Sequence, residues 1–400
     1  MRNKTDDVDN ARGGPDVPAH LQSVIDRLKT LPPGRVSHDL APEILARVRA
    51  AEEGKATPAV FWRWVYPLAA AASLALLLGG LWVWSVHRVE PRLAQGEANG
   101  TPAGRAVAWL CRTQEPDGSW NTARWGGNKQ FEVALTGLSL MAILGGKEGA
   151  SSDPVVDRAV DNLLCRQDEH GEFGAAFDSA PYNQGIATLA LIQAYRVQKD
   201  ERIKAAVDRA LKAICERQHP DGGWGYRQEA TPASNLSITL WQLEALRLAA
   251  SSGWGDLRVP IQRSVRWIAS VADEDGTFGY RQKRDFPEGS PTLTAMGALS
   301  MLEAAEGTPI PPARRRAIKA QVERLAAAPG ETDYYRRYFL AAALAKLDEE
   351  GPRQRLSEMR SELAGRQVRQ GPETGSWLAD DRWSSAGGRV YATALASLSM

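Results

Sequence analysis

Six glycines set the period of the chain. Gly118, Gly171, Gly222, Gly276, Gly330 and Gly375 stand 53, 51, 54, 54 and 45 residues apart. Each follows a charged, helix-like stretch and precedes an apolar one. An aromatic ring lies two residues after five of them, at Trp120, Phe173, Trp224, Phe278 and Trp377, and Gly330 alone lacks it. A period of this length is the signature of a repeat architecture, in which one hairpin cannot bury its apolar face alone and must stack on its neighbours. The sharpest unit is RAVAWLCRTQEPDGSW at 105–120, which RALKAICERQHPDGGW at 209–224 repeats in register. Residues 158–173 keep Gln167, Gly171 and Phe173, whereas 263–278 keep Gly276 and Phe278 but place Ala272 where the others have Gln.

The charged stretches predict helices near 103–113, 154–167, 204–218, 258–271, 311–327 and 353–368. The apolar ones, rich in Ala, Leu, Thr and Gly, predict helices over 131–145, 183–197, 235–250, 291–304, 333–346 and 389–399. Helices that are apolar on every side belong inside, and charged ones outside. The expected class is all-α. The turn glycine permits a positive φ, the preceding Asp primes the turn, and the Gln amide is placed to satisfy backbone groups at a neighbouring helix end beneath the indole.

These units resemble the QW motif of the squalene-cyclase and protein prenyltransferase β-subunit superfamily, with Arg105, Ala106, Trp109, Leu110, Gln114, Gly118 and Trp120 filling every slot. The structural QW positions are then Gln114, Gly118, Trp120, Gln167, Gly171, Phe173, Gln218, Gly222, Trp224, Gly276, Phe278, Gly375 and Trp377. The resemblance covers about 300 residues and implies an (α/α)6 toroid of six helical hairpins over 103–400, with an open solenoid as the competing arrangement. The fifth unit is degenerate: 313–350 lacks Gln and Trp at the expected places, although Tyr334, Tyr335 and Tyr338 supply bulk.

The N-terminal quarter reads differently. Residues 1–60 are polar and Pro-containing, an expected flexible, largely disordered tail with short helices. Residues 64–86 carry no charge and are flanked by Trp62, Trp64 and Tyr66 on one side and Trp82 and Trp84 on the other. That composition predicts a transmembrane helix within 61–87, followed by a linker over 88–102. Arg47, Arg49, Lys55 and Arg63 before it favour a cytoplasmic tail, a single-pass protein of the inner, cytoplasmic membrane and an extracytoplasmic toroid. The stretch DLAPEILARVRAAEEG from Asp39 resembles the juxtamembrane linker of membrane-anchored anti-sigma factors, which implies a sigma factor as a candidate partner for 1–60. A formal net charge of +1 offers no basic excess for nucleic acid.

Chemistry-bearing motifs are sparse. The Asp-x-Asp-Asp acid of the protonating cyclases is missing, and the nearest catalytic candidates are Asp273 and Asp275 in ADEDG, beside Asp380 and Asp381 in LADDRW. The register places Asp273 and Asp275 in the outer-to-inner turn, a solvated position. The zinc set of the prenyltransferases is not matched either, since Cys111, Cys165 and Cys215 recur at one packing position. No metal and no cofactor is expected. The starts of the inner helices offer a ligand-binding rim: Phe131, Glu132, Tyr182, Asn183, Asn235, Thr292, Asp333, Tyr334, Tyr335 and Tyr391. Helix capping and packing explain the same residues. The expected function is a membrane-anchored, non-catalytic module that binds an unknown small ligand or an envelope protein, with an anti-sigma-like sensor as one form of it. The alternative is a terpene cyclase- or prenyltransferase-like enzyme acting on isoprenoid or polysaccharide substrates.

Overall fold

The computed structural model describes residues 100–146, 150–227, 233–287, 290–304, 310–328 and 333–400. The tail 1–60, the apolar segment 61–87, most of the linker and Gly330 lie outside the described residues, and so do the expectations placed on them. Among the described residues no helix is long and apolar enough to cross a membrane.

The described residues form twelve α-helices and no β-sheet: α1 (Pro102–Thr113), α2 (Glu132–Gly146), α3 (Pro154–Arg166), α4 (Ala180–Gln198), α5 (Glu201–Glu216), α6 (Leu236–Ser251), α7 (Arg258–Ser270), α8 (Ser290–Ala304), α9 (Pro312–Ala327), α10 (Tyr334–Leu347), α11 (Glu350–Gly365) and α12 (Ser384–Leu398). Local chemistry starts several of them. Thr101 accepts from the Gly104 N–H at 3.1 Å ahead of Pro102. Asp153 does the same for Val155 at 2.8 Å ahead of Pro154. Asn235 and Asp333 cap α6 and α10 through the N–H groups of Ile238 and Arg336. A side-chain oxygen at these positions satisfies an N–H that has no partner within the helix.

The even-numbered helices make an inner ring. Each packs on the next, and α12 returns to pack on α2. The odd-numbered helices lie outside. Thus α3 touches α2 and α4, α5 touches α4 and α6, and α1 touches α2 and α12. Inner helices such as α4 and α8 are buried over most of their length, whereas on α9 and α11 only a single stripe is buried. The last inner helix starts five residues earlier than the sequence predicts because two helical pieces meet across Gly388, at φ 60° and ψ −153°.

The turns lock the hairpins together. Gln114 Nε2 donates to the Gly118 carbonyl of its own turn at 3.1 Å and to the Val155 carbonyl of the next outer helix at 2.8 Å, while Arg158 of that helix donates back to Gln114 Oε1 at 2.7 Å. Gln167 repeats this with Gly171, Ala206 and Arg209. Gln218 bridges Gly222 and Pro260. The latch of the sixth turn belongs to Gln367, which donates to Gly375 and Pro102 at 2.8 Å each and accepts from Arg105 Nε at 2.8 Å. It joins the last hairpin to the first, so the ring is closed by the same device that builds it. Sequence reading missed Gln367 because eight residues separate it from its glycine, against four in the first three turns.

Each described turn glycine, Gly118, Gly171, Gly222, Gly276 and Gly375, leans on the backbone of the following outer helix, the first helix following the last turn. A Cβ on Gly118 would stand 2.0 Å from the Arg158 carbonyl oxygen, and one on Gly375 2.2 Å from that of Arg105. The indoles carry a hydrogen bond of their own. Trp120, Trp224 and Trp377 donate from Nε1 to the carbonyls of Leu110, Ile214 and Leu363 at 2.8–2.9 Å, each near the end of its own outer helix. Each indole thereby adds a buried donor to a carbonyl in the last turns of its helix, where Leu110 also accepts from Thr113 Oγ1 at 3.3 Å and Leu363 from the Arg366 N–H at 3.2 Å. Most turn aromatics are also tied to an inner helix by their own N–H, which Thr239, Thr294 and Thr393 accept for Trp224, Phe278 and Trp377.

Candidate functional site

The segments after Trp120, Trp224, Phe278 and Trp377 bring Phe131, Tyr226, Tyr280, Phe286 and Trp383 to one site. They and the first turns of the inner helices enclose a cavity of about 450 Å³. Its wall comes from Phe131, Ala134, Leu135, Leu138, Tyr182, Ile186, Tyr226, Ser237, Tyr280, Phe286, Thr292, Leu293, Met296, Tyr335, Trp383, Ala386, Gly387 and Tyr391. No charged side chain is among them.

The rings interlock. Phe131 meets Tyr182 edge-on at 6.1 Å, Tyr182 lies 6.2 Å from Tyr226, and Tyr280 lies 5.9 Å from Phe286. The Tyr182 hydroxyl shares a 2.7 Å hydrogen bond with Ser237 Oγ, and Trp241 Nε1 donates to the Tyr335 hydroxyl. Burial pushes the phenols of Tyr182, Tyr280 and Tyr335 well above the ordinary tyrosine range, helped by their phenolic neighbours. They are neutral donors, not phenolates, at any physiological pH. Several of these faces already carry cations: the Arg382 guanidinium lies 4.8 Å above Trp383 and 5.6 Å from Phe286, and that of Arg281 lies 5.7 Å from Tyr280. Phe286, at φ 53°, and Arg284, at φ 60°, adopt left-handed backbone, a conformation that surrounding structure must enforce. Asp285 holds that loop by accepting the N–H groups of Tyr280, Arg281 and Gln282.

Two carboxylates stand at the margin. Asp381 accepts from the Tyr391 hydroxyl at 2.9 Å, the Tyr334 N–H at 3.0 Å, the Trp383 N–H at 3.0 Å and Ser384 Oγ at 2.7 Å. Burial raises its pKa, and Asp333 adds to the rise, while these hydrogen bonds oppose it. Asp333 accepts from Thr292 Oγ1 at 2.6 Å and Trp383 Nε1 at 3.3 Å.

Of the rim residues expected from sequence, Phe131, Tyr182, Thr292, Tyr335 and Tyr391 line this cavity. The others hold its frame. Glu132 pairs with Arg166 at 2.8 Å. Asn183 accepts from the Ala134 N–H and donates to the Gln130 carbonyl. Asn235 caps α6, and Tyr334 packs edge-on against Tyr391. Asp273 and Asp275 do not reach the cavity. They shape the fourth turn, Asp275 accepting from the N–H and hydroxyl of Thr277 and Asp273 from the Glu274 N–H and Arg284. These bonds hold both carboxyls below the ordinary aspartate range, which suits turn residues and not proton donors. Sequence reading missed Tyr226, Tyr280, Phe286 and Trp383. The signal for two of them was present: Trp224-Gly225-Tyr226 and Phe278-Gly279-Tyr280 repeat a Gly-Tyr pair directly after the turn aromatic.

Comparison with known proteins agrees with this geometry. The family model of the squalene-hopene cyclase C-terminal domain matches residues 92–188. A drimenyl diphosphate synthase from Streptomyces showdoensis is 26% identical over 227 residues, which cover 55% of this chain and 40% of that enzyme. The squalene–hopene cyclase of Alicyclobacillus acidocaldarius is 30% identical over 128 residues, or 30% of this chain and 19% of that enzyme. The chain therefore matches less than half the length of these relatives. Among solved structures, the type II terpene cyclase MstE from Scytonema superposes with a TM-score of 0.51 at 16% identity, covering 74% of this chain and 96% of that one. An inactive variant of an α-1,6-mannanase from Salegentibacter, in complex with α-1,6-mannotriose, gives 0.56 at 11% identity, with 74% and 96% covered. These two share the fold. The expectation of a non-catalytic sensor module is overturned here, because the matched relatives and the structural neighbours are enzymes; the enzyme alternative accounts for them better. The repeat, the closed ring of hairpins and these matches together support the squalene cyclase-like α/α-toroid superfamily as the one this chain resembles.

Proposed function

We propose that the chain is a terpene cyclase-like enzyme that folds an isoprenoid chain inside the ring and steers its carbocation. The observation that carries this reading is the uncharged, aromatic wall of the 450 Å³ cavity. An apolar chain is driven into such a space by the loss of its hydrated surface. Ring faces attract a developing cation by their quadrupole, more strongly where water is excluded. The faces of Tyr182, Tyr226, Tyr280, Phe286, Tyr335 and Trp383 surround the space without offering a nucleophile stronger than a neutral phenol. The Tyr391 hydroxyl, held by Asp381 at 2.9 Å, places one polar group beside the reacting chain. The polysaccharide alternative is weaker. Glycoside hydrolysis needs two carboxyls facing the substrate, and Asp333 and Asp381 are both engaged as caps.

The test is incubation of the full chain with linear isoprenoids of increasing length, free and diphosphorylated, and analysis of cyclised products by mass spectrometry. Met296 is fully buried and lines the cavity. Met296→Trp fills the space and is expected to abolish turnover and tail binding. Absence of both turnover and binding in the unaltered chain would remove the proposal.

A further inference from the structure

The cavity wall is uncharged but not uniform. Most of its hydroxyls gather on one side, around the start of α6. Ser237 Oγ donates to Asn235 Oδ1 at 3.1 Å and spends its single proton there. The 2.7 Å bond between Ser237 and Tyr182 is therefore donated by the tyrosine. Trp241 lies four residues after Ser237, one turn deeper on the same face of the helix. Its Nε1 donates to the hydroxyl of Tyr335, which comes from α10. Helix α8 stands between α6 and α10 in the inner ring, so the Tyr335 side chain crosses the interior to bring its oxygen against α6. Tyr226 and Tyr280 complete the group. Tyr280 is within hydrogen-bonding reach of Tyr226 and Ser237, and its carbonyl accepts from the Leu236 N–H at 2.8 Å.

These bonds have a direction. Tyr182 and Ser237 pass their protons toward Asn235 Oδ1, which also accepts from the Ile238 N–H at 3.0 Å and has no further lone pair to offer. Tyr335 receives the proton of Trp241, and its own O–H has no acceptor among the described residues. Tyr182, Tyr226, Tyr280 and Tyr335 all line the cavity, and none is fully buried. Burial keeps three of these phenols protonated, so the group holds a proton to give. No Lys or Arg lines the cavity, and an anion stripped of its water there would meet no countercharge. The remaining hydroxyls on the wall are committed elsewhere, Thr292 to Asp333 at 2.6 Å and Tyr391 to Asp381 at 2.9 Å. We propose that the cluster around Ser237 and Tyr335 is an oxygen-binding subsite, which donates to a neutral hydroxyl, ether or carbonyl oxygen carried by the ligand. The natural ligand is then an oxygenated chain. This inference rests on the isoprenoid reading of the cavity and adds to it where the chain carries its oxygen.

The experiment is an equilibrium titration of the full chain with farnesene, farnesol and farnesyl methyl ether, repeated with Tyr335→Phe and Tyr280→Phe. Thermal melts check that both variants fold. Each variant is expected to weaken the alcohol and the ether about two- to tenfold, the worth of one neutral hydrogen bond, and to leave the hydrocarbon unchanged. The hydrocarbon is the internal control, because a purely structural role for either tyrosine would weaken all three probes alike. Equal effects on the three probes, or no effect on any, overturn the proposal and leave the cluster to a trapped water. Weakening of the alcohol alone overturns it too, because the cluster would then accept a proton and not give one. If farnesene binds the unaltered chain without these selective losses, the subsite fails and the cavity reading stands. If no probe binds the unaltered chain, both fail.

Discussion

Ring closure rests on Gly375, and replacing it with alanine measures what closure is worth. Two costs add. At φ 96° an alanine pays about 1–2 kcal/mol for left-handed backbone. Its Cβ would also stand 2.2 Å from the Arg105 carbonyl oxygen, so the end of the last hairpin must retreat from α1 by roughly 1 Å to regain ordinary contact. That shift stretches the Gln367–Pro102 and Gln367–Arg105 hydrogen bonds, both 2.8 Å, each contributing about 0.5–1.5 kcal/mol. Gly375→Ala is therefore expected to lose about 2–5 kcal/mol. The control is Gly126→Ala. Gly126 has φ 83° but nothing within 4 Å of where its Cβ would lie, so that variant carries the backbone cost alone, about 1–2 kcal/mol. Urea unfolding followed by circular dichroism gives both values. Equal losses in the two variants would refute the claim that the turn glycine seals the ring through contact with α1.

Further outcomes concern the interior. Glu244 shares Arg247 with Glu303, at 3.2 and 2.7 Å, and burial, reinforced by Glu303 and opposed by Arg247, raises its pKa from 4.5 to about 8. The folded chain then keeps a proton that the unfolded chain releases. This contribution is complete below about pH 4.5 and is lost as pH rises to about 8, by ~1.4 kcal/mol per unit. Glu244→Gln keeps the shape of the protonated side chain without its titration, and should flatten urea midpoints between about pH 5 and 8; a decline parallel to the unaltered chain would contradict this. Trp377→Phe removes the 2.8 Å indole bond to the Leu363 carbonyl, which keeps the Arg366 N–H at 3.2 Å, and should cost about 0.5–1.5 kcal/mol in the same unfolding assay. Tyr391→Phe should change the ratio of cyclised products without lowering tail affinity, read by mass spectrometry and by titration.

Much of the fold was legible because one contact recurs. Gln, Gly and Trp at fixed spacing perform a local task at each turn, and a task repeated in sequence is visible in sequence. Gln367 escaped because its loop is four residues longer, although its hydrogen bonds are those of Gln114. The cavity was legible only where its residues sit on or beside helix starts, as with Phe131, Tyr182 and Tyr391. Tyr226, Tyr280, Phe286 and Trp383 come from loops, where no period announces which way a ring will face. Asp333 and Asp381 illustrate the converse. Both carry chemistry-capable side chains near the cavity, and only the hydrogen bonds around them show that helix starts and turns consume their oxygens.

A closed ring cannot lengthen. An open array gains or loses a unit and remains an array, but here an extra hairpin would separate Gln367 from Pro102 and Arg105, and a missing one would do the same elsewhere. Diversification is thereby confined to the stretches between each turn aromatic and the following inner helix. Those stretches supply Tyr226, Tyr280, Phe286 and Trp383, so the barrel can stay constant while its contents are retailored for new molecules one loop at a time.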